Sequence, residues 1–166
     1  MSILSRWLCA IFALLGLANL AACDAYKLQQ LQPGVSTAAE VRQQFGEPEM
    51  RWRNADGSQT WEFSRQPAGT ECFMVTLGSD DILRSIEQVL TDANFARIQP
   101  GMNADEVRRI LGKPARSTPL QLKGEIVQEW RIGAGIGSSG DDEFFTVNFN
   151  QDGRVSTSGR HIQYRR

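Results

Sequence analysis

The sequence predicts an α+β fold built from two tandem modules, each made of two short helices followed by an antiparallel sheet. Three marks carry this prediction: Gln32-Pro33-Gly34, Glu40-Val41-Arg42 and Gly46-Glu47-Pro48 return as Gln99-Pro100-Gly101, Glu106-Val107-Arg108 and Gly112-Lys113-Pro114. Repetition at a nearly constant spacing indicates one supersecondary unit that is present twice. We expect the two sheets to form one larger sheet with the helices on one face.

The helices are bounded by recognisable start and stop signals. Segments 24–30 and 92–98 precede the two Pro-Gly turns, where proline lacks a backbone donor and glycine permits positive φ. The second helix of each copy starts at a side-chain cap with an acid three residues later, Thr37 with Glu40 and Asn103 with Glu106. It ends at a glycine followed two residues later by proline, at Gly46 and Gly112.

The strands follow from alternation of apolar and other side chains with a period of two residues. The predicted buried positions are Trp61, Phe63, Phe73, Val75, Leu77 and Leu83 in one copy and Trp130, Ile132, Phe145, Val147, Phe149 and Val155 in the other. Residues 50–53 and 116–122 supply one more strand per copy. Hairpin turns are indicated where glycine follows a polar residue, at 56–57, 123–124 and 152–153.

Residues 1–22 have the features of a lipoprotein signal peptide. Arg6 precedes an uncharged apolar run, 7–18, which is shorter than the roughly 20 residues needed to span a bilayer. Leu20-Ala21-Ala22-Cys23 resembles the lipobox of bacterial lipoproteins, which implies that Cys23 becomes an acylated first residue carrying chains such as palmitate. The alternative is an ordinary secreted protein.

The signal peptide divides the chain. Residues 23–30 would form a lipidated tether, followed by module 1 at 31–90 and module 2 at 91–166. The processed chain has 17 basic and 19 acidic residues, a net charge of −2, so no strong field attracts nucleic acid. Lipidation of Cys23 leaves Cys72 as the remaining thiol, either buried or paired between chains.

Residues suited to catalysis or metal binding are few. Residues 135–140 satisfy G-x-G-x-x-G, but three acids, 141–143, and a strand follow where a nucleotide-binding loop needs a helix. Those acids lack calcium-loop spacing and are expected to be solvated. His161 is the only histidine, and a Cys72–His161 pair has no third orienting group. We expect no enzyme, no cofactor and no metal.

The sheet face opposite the helices is the predicted partner-binding surface. Met74 in one copy and Arg131 and Phe144 in the other are expected on that face, where the helices do not cover them. Protein interfaces are enriched in aromatic residues, Met and Arg. The alternative is that Met74 and Phe144 pack against each other or under a loop.

Two basic segments add candidate contacts. Arg51, Trp52 and Arg53 form the first, in which Trp52 is either an edge residue of the core or an anchor between two cations. Arg165 and Arg166 form the second, at the C-terminus. Each basic residue near an anionic membrane contributes about 1 kcal/mol, so this pair is a candidate membrane contact.

The repeated motifs also resemble a known family. The Pro-Gly turn, the Glu-Val-Arg helix, the Gly-x-Pro stop and the strands Thr60-Trp61-x-Phe63 and Val75-Thr76-Leu77 resemble the SmpA/OmlA (BamE-like) domain, over 31–90 well and 98–162 less well. That family normally has one copy, and its tandem form is similar to beta-lactamase inhibitor proteins, whose two sheets form one concave surface. The resemblance implies Arg65 as a contact residue, although Arg65 lies one residue closer to the Trp strand than in the family.

The resemblance implies a lipoprotein on the periplasmic side that serves as a non-catalytic scaffold or accessory factor in envelope or outer-membrane protein assembly. Its partners would be envelope assembly proteins and the membrane, through Cys23. The outer membrane is favoured, while Asp24 resembles an inner-membrane retention signal. The alternative is an inhibitor-like protein that binds a periplasmic enzyme on a concave sheet. The oligomeric state does not follow from the sequence.

Overall fold

The computed structural model describes residues 28, 30–134 and 141–164, which form an α+β fold of two helix-and-sheet modules, as the sequence predicts. The elements of module 1 are α1 (Ala38–Phe45), β1 (Met50–Arg53), β2 (Gln59–Ser64), β3 (Cys72–Leu77) and β4 (Leu83–Gln88). Those of module 2 are α2 (Asp92–Phe95), α3 (Ala104–Leu111), β5 (Arg116–Leu120), β6 (Glu125–Ala134), β7 (Asp142–Phe149) and β8 (Val155–Gln163).

The predicted capping boxes open both long helices. At α1, Thr37 Oγ1 accepts a hydrogen bond from the Glu40 N–H at 3.3 Å, and the Glu40 carboxylate accepts one from the Thr37 N–H at 2.7 Å. The same reciprocal bonds join Asn103 and Glu106 at α3. Helices of this length are marginal alone in water, so capping and packing must stabilise them together.

The strands form two separate four-stranded antiparallel sheets, sheet 1 (β1-β2-β3-β4) and sheet 2 (β5-β6-β7-β8). Within the described residues no ladder joins them, so the expected single larger sheet is corrected to two. The physical reason is the position of α3. Its Val107 and Leu111 pack in one cluster with Met74 of sheet 1 and Trp130 of sheet 2, which places the helix between the sheets.

The layers are therefore α1, sheet 1, α3 and sheet 2, with two apolar cores between them. The first core joins α1 to sheet 1 through Leu31, Ala38, Val41, Phe45, Trp61, Phe63, Phe73, Val75, Leu77 and Leu83. The second core joins both sheets to α3 through Cys72, Met74, Val89, Leu90, Phe95, Ile98, Val107, Leu111, Trp130, Phe145, Val147, Phe149 and Val155. Each fully buried large apolar side chain contributes about 1.5–3 kcal/mol.

Several sequence predictions fall outside the described residues. They are the signal peptide, Cys23 and Asp24, the loop 135–140, and Arg165 with Arg166. The structure begins to describe the chain at Leu28, which packs against the first core, and Gln30, whose side chain accepts a hydrogen bond from Gln44 of α1. Among the helices that the structure describes, none is long and apolar enough to cross a bilayer.

Candidate functional site

Module 2 covers the face of sheet 1 that points away from α1. Met74 is only 6% exposed and packs in the second core. This corrects the expectation that Met74 lies on an uncovered face, because α3 occupies that face. A partner therefore cannot reach Met74 without separating the modules.

A buried ion pair closes the contact between the modules. Glu62, on the α3 side of sheet 1, is completely buried, and its carboxylate accepts hydrogen bonds from Arg108 Nε at 3.0 Å and from the Lys113 backbone N–H at 2.9 Å. Lys113 Nζ pairs with Glu49 at 2.9 Å. These bonds satisfy groups that would otherwise be costly to bury.

Cys72 lies inside this contact and is not a reactive thiol. It is fully buried as a free cysteine. Burial, reinforced by the negative charge of Glu62, raises the pKa of Cys72 to about 12. A thiol that stays protonated and inaccessible is a poor nucleophile, and it cannot form a disulfide between intact chains.

The residues of the first basic segment, 51–53, have different surroundings: Trp52 contacts the second core and Arg51 contacts the first. Trp52 packs at the edge of the second core with the Arg109 guanidinium 5.6 Å from its ring centre, so its cation comes from α3 and not from Arg51 or Arg53. Arg51 lies over Trp61 at 4.7 Å and pairs with Glu47 at 2.6 Å. Arg53 is exposed.

Arg65, the contact residue that the family resemblance implies, lies beside the first core of module 1. Its guanidinium lies 5.7 Å from the ring centre of Phe45, and its backbone N–H donates to the Glu71 carbonyl at 3.0 Å. The residue therefore closes the end of the first core. Its predicted role in partner contact stays a prediction.

The outer face of sheet 2, which points away from α3, is the largest sheet face that the described residues leave without a covering layer. We call outer face the side chains that alternate with the second core across the four strands, which include Arg116, Thr118, Glu129, Arg131, Phe144, Thr146, Asn148, Thr157 and His161. Most of these groups are hydroxyl, amide or charged. This composition suits contact with water or with a polar partner surface.

Phe144 lies on the outer face between Arg131 of β6 and His161 of β8, and it is itself covered. The Arg116 guanidinium lies 4.9 Å from its ring centre, and the His161 ring stacks on it at 5.6 Å between centres. Phe144 is consequently 7% exposed, which corrects the expectation of an open aromatic anchor. The accessible groups are instead Arg116 and His161, whose side chains are 43% and 41% exposed.

Glu129 organises the two groups that cover Phe144. Its carboxylate forms a bidentate pair with Arg116, which raises the pKa of Arg116 further above its usual value. His161 Nε2 lies 3.3 Å from Glu129 Oε1, the oxygen that also accepts from Arg116 Nη2, and Nδ1 lies 2.9 Å from Thr146 Oγ1. Both imidazole nitrogens are thereby positioned, so the ring is held in place over Phe144.

Arg131 joins the outer face to module 1. Its guanidinium donates to Asp142 at 2.6 Å and to the Ala68 carbonyl at 2.9 Å. Gln66 adds two bonds to the backbone of Arg131, donating to its carbonyl at 2.7 Å and accepting from its N–H at 3.1 Å. Arg131 thus positions the 66–68 loop of module 1 beside sheet 2.

The acidic segment 141–143 is built into the fold. Asp141 is buried, Asp142 pairs with Arg131, and Glu143 approaches Arg160 at 3.5 Å. The expectation that these acids are solvated is therefore wrong, because two of them balance arginines on neighbouring strands and the third is enclosed. In the part of the chain that the structure describes, no group of His, Cys, Asp and Glu could hold a metal ion.

A shallow depression of about 350 Å³ lies where the 66–68 loop meets the outer face. It is lined by Pro67, Ala68, Ala115, Arg116, Arg131, Asp142 and Phe144. The lining combines one aromatic ring, Phe144, with the two arginines Arg116 and Arg131. Such a site fits a protruding side chain of a partner.

The structure keeps Cys72 and His161 on opposite sides of sheet 2. Cys72 lies in the second core on the inner side of sheet 2, whereas His161 lies on the outer side. The sheet separates the two groups, so a Cys72–His161 nucleophile–base pair cannot form. The arrangement can hold and orient a binding partner through charge-assisted hydrogen bonds and stacking.

Sequence reasoning found Phe144 and Arg131 but missed the residues that organise them: Arg116, Glu129, Gln66 and His161 as a stacking partner. Arg116 is directly opposite Glu129 in the β5–β6 register. A sequence signal for this pair existed in the predicted strand at 116–122, where opposite charges across a hairpin are a usual pairing. Gln66 contacts Arg131 across 65 positions of sequence, and no local pattern indicates such a contact.

No protein-family model matches the sequence, and no curated protein does. Two solved structures are similar. A DUF4309 family protein from Bacillus subtilis is 16% identical, with 82% of this chain and 84% of that chain covered at a TM-score of 0.30. A "putative beta-lactamase inhibitor protein" from Streptococcus mutans is 14% identical, with 84% and 96% covered at a TM-score of 0.33.

These likenesses concern the fold alone. One of the two descriptions names the class of inhibitor proteins that the sequence resembles, but likenesses at TM-scores of 0.30 and 0.33 carry no argument for that class, and neither supports membership of the SmpA/OmlA family.

Proposed function

We propose that this chain is a lipid-anchored, non-catalytic binding protein of the bacterial envelope that holds a protein partner on the outer face of sheet 2. The observation that carries the proposal is the organised cluster around Phe144. The buried Glu129 fixes Arg116 and His161 through mutual bonds, and these two side chains are accessible on a face that no described element covers. Prepositioned side chains lose little entropy on binding, which favours affinity.

The proposed place of action is the periplasmic side of a membrane. Acylation of Cys23 would anchor the chain, and the eight residues 23–30 span at most about 28 Å when extended. Module 1 would then lie close to the headgroups, with the outer membrane as the favoured site. Mass spectrometry of the mature N-terminus tests the anchor, because an unmodified Cys23 contradicts it.

Density-gradient separation of the two membranes tests the location. Recovery in the outer-membrane fraction is expected, and recovery with the inner membrane would make Asp24 the deciding residue. An Asp24→Ser variant that moves to the outer membrane would demonstrate that role. The C-terminal pair Arg165 and Arg166 is a further proposed membrane contact, tested by liposome binding before and after its removal.

The proposed role at that location is an accessory factor in envelope or outer-membrane protein assembly. Affinity purification from solubilised envelopes is expected to recover outer-membrane assembly proteins. Recovery of a single soluble periplasmic enzyme would instead support the inhibitor-like alternative. If neither class is recovered and deletion leaves outer-membrane protein levels unchanged, the assembly role is wrong.

The binding surface has its own test, independent of partner identity. The variant Arg116→Ala with His161→Ala removes both groups over Phe144 and is expected to weaken partner recovery at least tenfold, because arginine and aromatic-stacked groups dominate interface energetics. The matched control is Arg84→Ala, an exposed arginine of module 1 that is also paired with an acid. Equal recovery by the two variants would remove the outer face as the binding surface.

A further inference from the structure

The strand β8 has a long open edge. It is the last strand of sheet 2, and Val155 is its only buried residue. The backbone of Val155 is also paired on the side away from β7. Its carbonyl accepts a hydrogen bond from the Gly101 N–H, and its N–H donates to the Met102 carbonyl. From 156 to 163 no other described strand pairs with that edge.

The other sheet edges are better protected. β1 has only 4 residues, and β5 has 5 and contains Pro119, which cannot donate to a ladder. β4 is paired at its start as β8 is, where Leu83 exchanges backbone hydrogen bonds with Gly34 and Ser36, but β4 has only 6 residues and leaves a shorter edge open. Proteins usually shield their edges because unpaired N–H and C=O groups recruit other strands, so the 9-residue β8 is exceptional in this molecule.

A glycine stands at the centre of this edge without an internal reason. Gly159 is not among the residues with positive φ, and a Cβ built on it meets nothing within 4 Å. Neither backbone conformation nor packing within the chain therefore requires glycine there. Glycine weakens a strand interior, and it is found where another backbone approaches closely.

We propose that a second copy of this chain pairs with β8, antiparallel and about a two-fold axis at Gly159. In this register Gly159 faces Gly159 of the second copy, and residues 156 to 162 of both strands lie opposite one another. This overlap uses the free part of β8 and leaves Val155 with its existing partners. Isologous pairing of this kind closes a dimer and does not propagate into fibres.

The charges of β8 favour this register. Arg160 lies opposite Ser158, His161 opposite Thr157 and Ile162 opposite Ser156, so no like charges lie directly opposite one another. A two-fold axis one residue later would place Arg160 directly opposite itself, and like charges directly opposite are unfavourable. The Arg160 guanidinium is in any case bound to Asp92 and Glu143.

The dimer would join two copies of sheet 2 into one eight-stranded sheet and place two outer faces side by side. A single pair of strands is a small interface, so we expect a reversible dimer. Two membrane-anchored copies would meet at a raised effective concentration. The inference concerns the β8 edge alone and holds whether or not the outer face binds the proposed partner.

Charge variants at the axis test the proposal. Gly159→Lys and Gly159→Glu each place like charges opposite one another, and the open space at Gly159 lets the monomer accept both. In sedimentation of the mature chain with detergent micelles in excess, each variant alone is expected to dimerise at least tenfold more weakly than the unaltered chain. An equimolar mixture is expected to restore the dimer, because Lys and Glu then face each other.

A cross-link in the envelope gives a second test. Gly159→Cys is expected to form a disulfide-linked dimer on addition of an oxidant, since opposite Cβ atoms in antiparallel strands lie within reach. Thr118→Cys, at the β5 edge of the same outer face, is the matched control and is expected to remain monomeric. Cys72 does not compete because it is buried.

The proposal is overturned by an unaltered chain that stays monomeric at every concentration. It is equally overturned by single charge variants that dimerise as the unaltered chain does, or by a monomer that adds only an extended peptide from another protein at β8. Matching circular dichroism spectra for all variants ensure that a lost dimer does not reflect a lost fold.

Discussion

Gly46 and Gly112 hold the same place in the two copies and nearly the same backbone conformation, with φ and ψ of 85° and −158° at Gly46 and 74° and −167° at Gly112. Residues other than glycine rarely adopt this region. Their surroundings differ. A Cβ on Gly46 meets nothing within 4 Å, whereas a Cβ on Gly112 would lie 2.3 Å from Cys72 Sγ. Gly46 therefore ends a helix, whereas Gly112 ends a helix and also permits the two modules to approach closely.

Alanine substitutions at the two glycines should separate these roles. Gly46→Ala is expected to cost about 1–3 kcal/mol from backbone strain. Gly112→Ala should cost a further 1–3 kcal/mol or so from overpacking against the sulfur. Urea unfolding of both variants measures the difference, and adding Cys72→Ala should recover part of the loss at Gly112 only. Equal costs at the two sites would contradict the close approach.

Cys72 also predicts a dependence of stability on pH. Its pKa in the folded chain, about 12, is above the value of 9.0 for an unperturbed thiol. The folded state therefore holds its proton more tightly, and the contribution is complete below about pH 9 and lost as the pH rises toward 12.

Thiol alkylation and unfolding measurements check this expectation. The native chain should resist iodoacetamide at pH 8 and react after urea is added. The loss of stability between pH 9 and pH 11 should be smaller in Cys72→Ala than in the unaltered chain. Rapid alkylation of the native chain would show that the contact between the modules opens readily.

At the scale of elements, α1 and α3 have the same length and capping box but different surroundings. α1 packs on one side of sheet 1 through the first core, whereas α3 packs between the two sheets. The strands agree with the alternation in the sequence, and β5 ends at Leu120, two residues before the predicted boundary. Local signals predicted these elements because caps, glycines and alternation act within a few residues.

The N-caps of α1 and α3 are expected to contribute equally to stability, although the two helices pack differently. Thr37→Ala and Asn103→Ala should each lower the free energy of unfolding by about 1 kcal/mol, since each removes one acceptor from a helix N-terminus. Chemical denaturation measures both, with Asn103→Asp as the control that keeps an acceptor. A cost near zero at Asn103 would mean that packing alone holds α3.

For the whole molecule, the two modules should unfold as one unit. Module 1 is acidic, with 5 basic and 9 acidic residues over 31–90, and module 2 is basic, with 11 basic and 9 acidic residues over 91–166. The contact brings together Glu62 with Arg108 and Glu49 with Lys113, and it buries apolar side chains from both modules. The first core lies wholly within module 1, but the second core needs side chains from both modules, so module 2 has no complete core alone.

Cooperative unfolding and its dependence on Glu62 can be measured together. Tryptophan fluorescence and far-ultraviolet circular dichroism should report one coincident transition. Glu62→Ala should lower stability by about 3–5 kcal/mol, because it leaves Arg108 without its buried partner. Glu87→Ala, an exposed acid of sheet 1, should change it by less than about 0.5 kcal/mol. Two separate transitions would show that the modules fold independently.

The sequence by itself determined the repeat, the capped helices, the glycine stops and the faces of the strands, because each depends on residues a few positions apart. Only the tertiary structure decided which face of each sheet is covered. The insertion of α3 between the sheets buries Met74 and Glu62, and Arg116 and His161, which come from other strands of sheet 2, cover Phe144. Alternation shows that a strand has two faces, but burial depends on what packs against them.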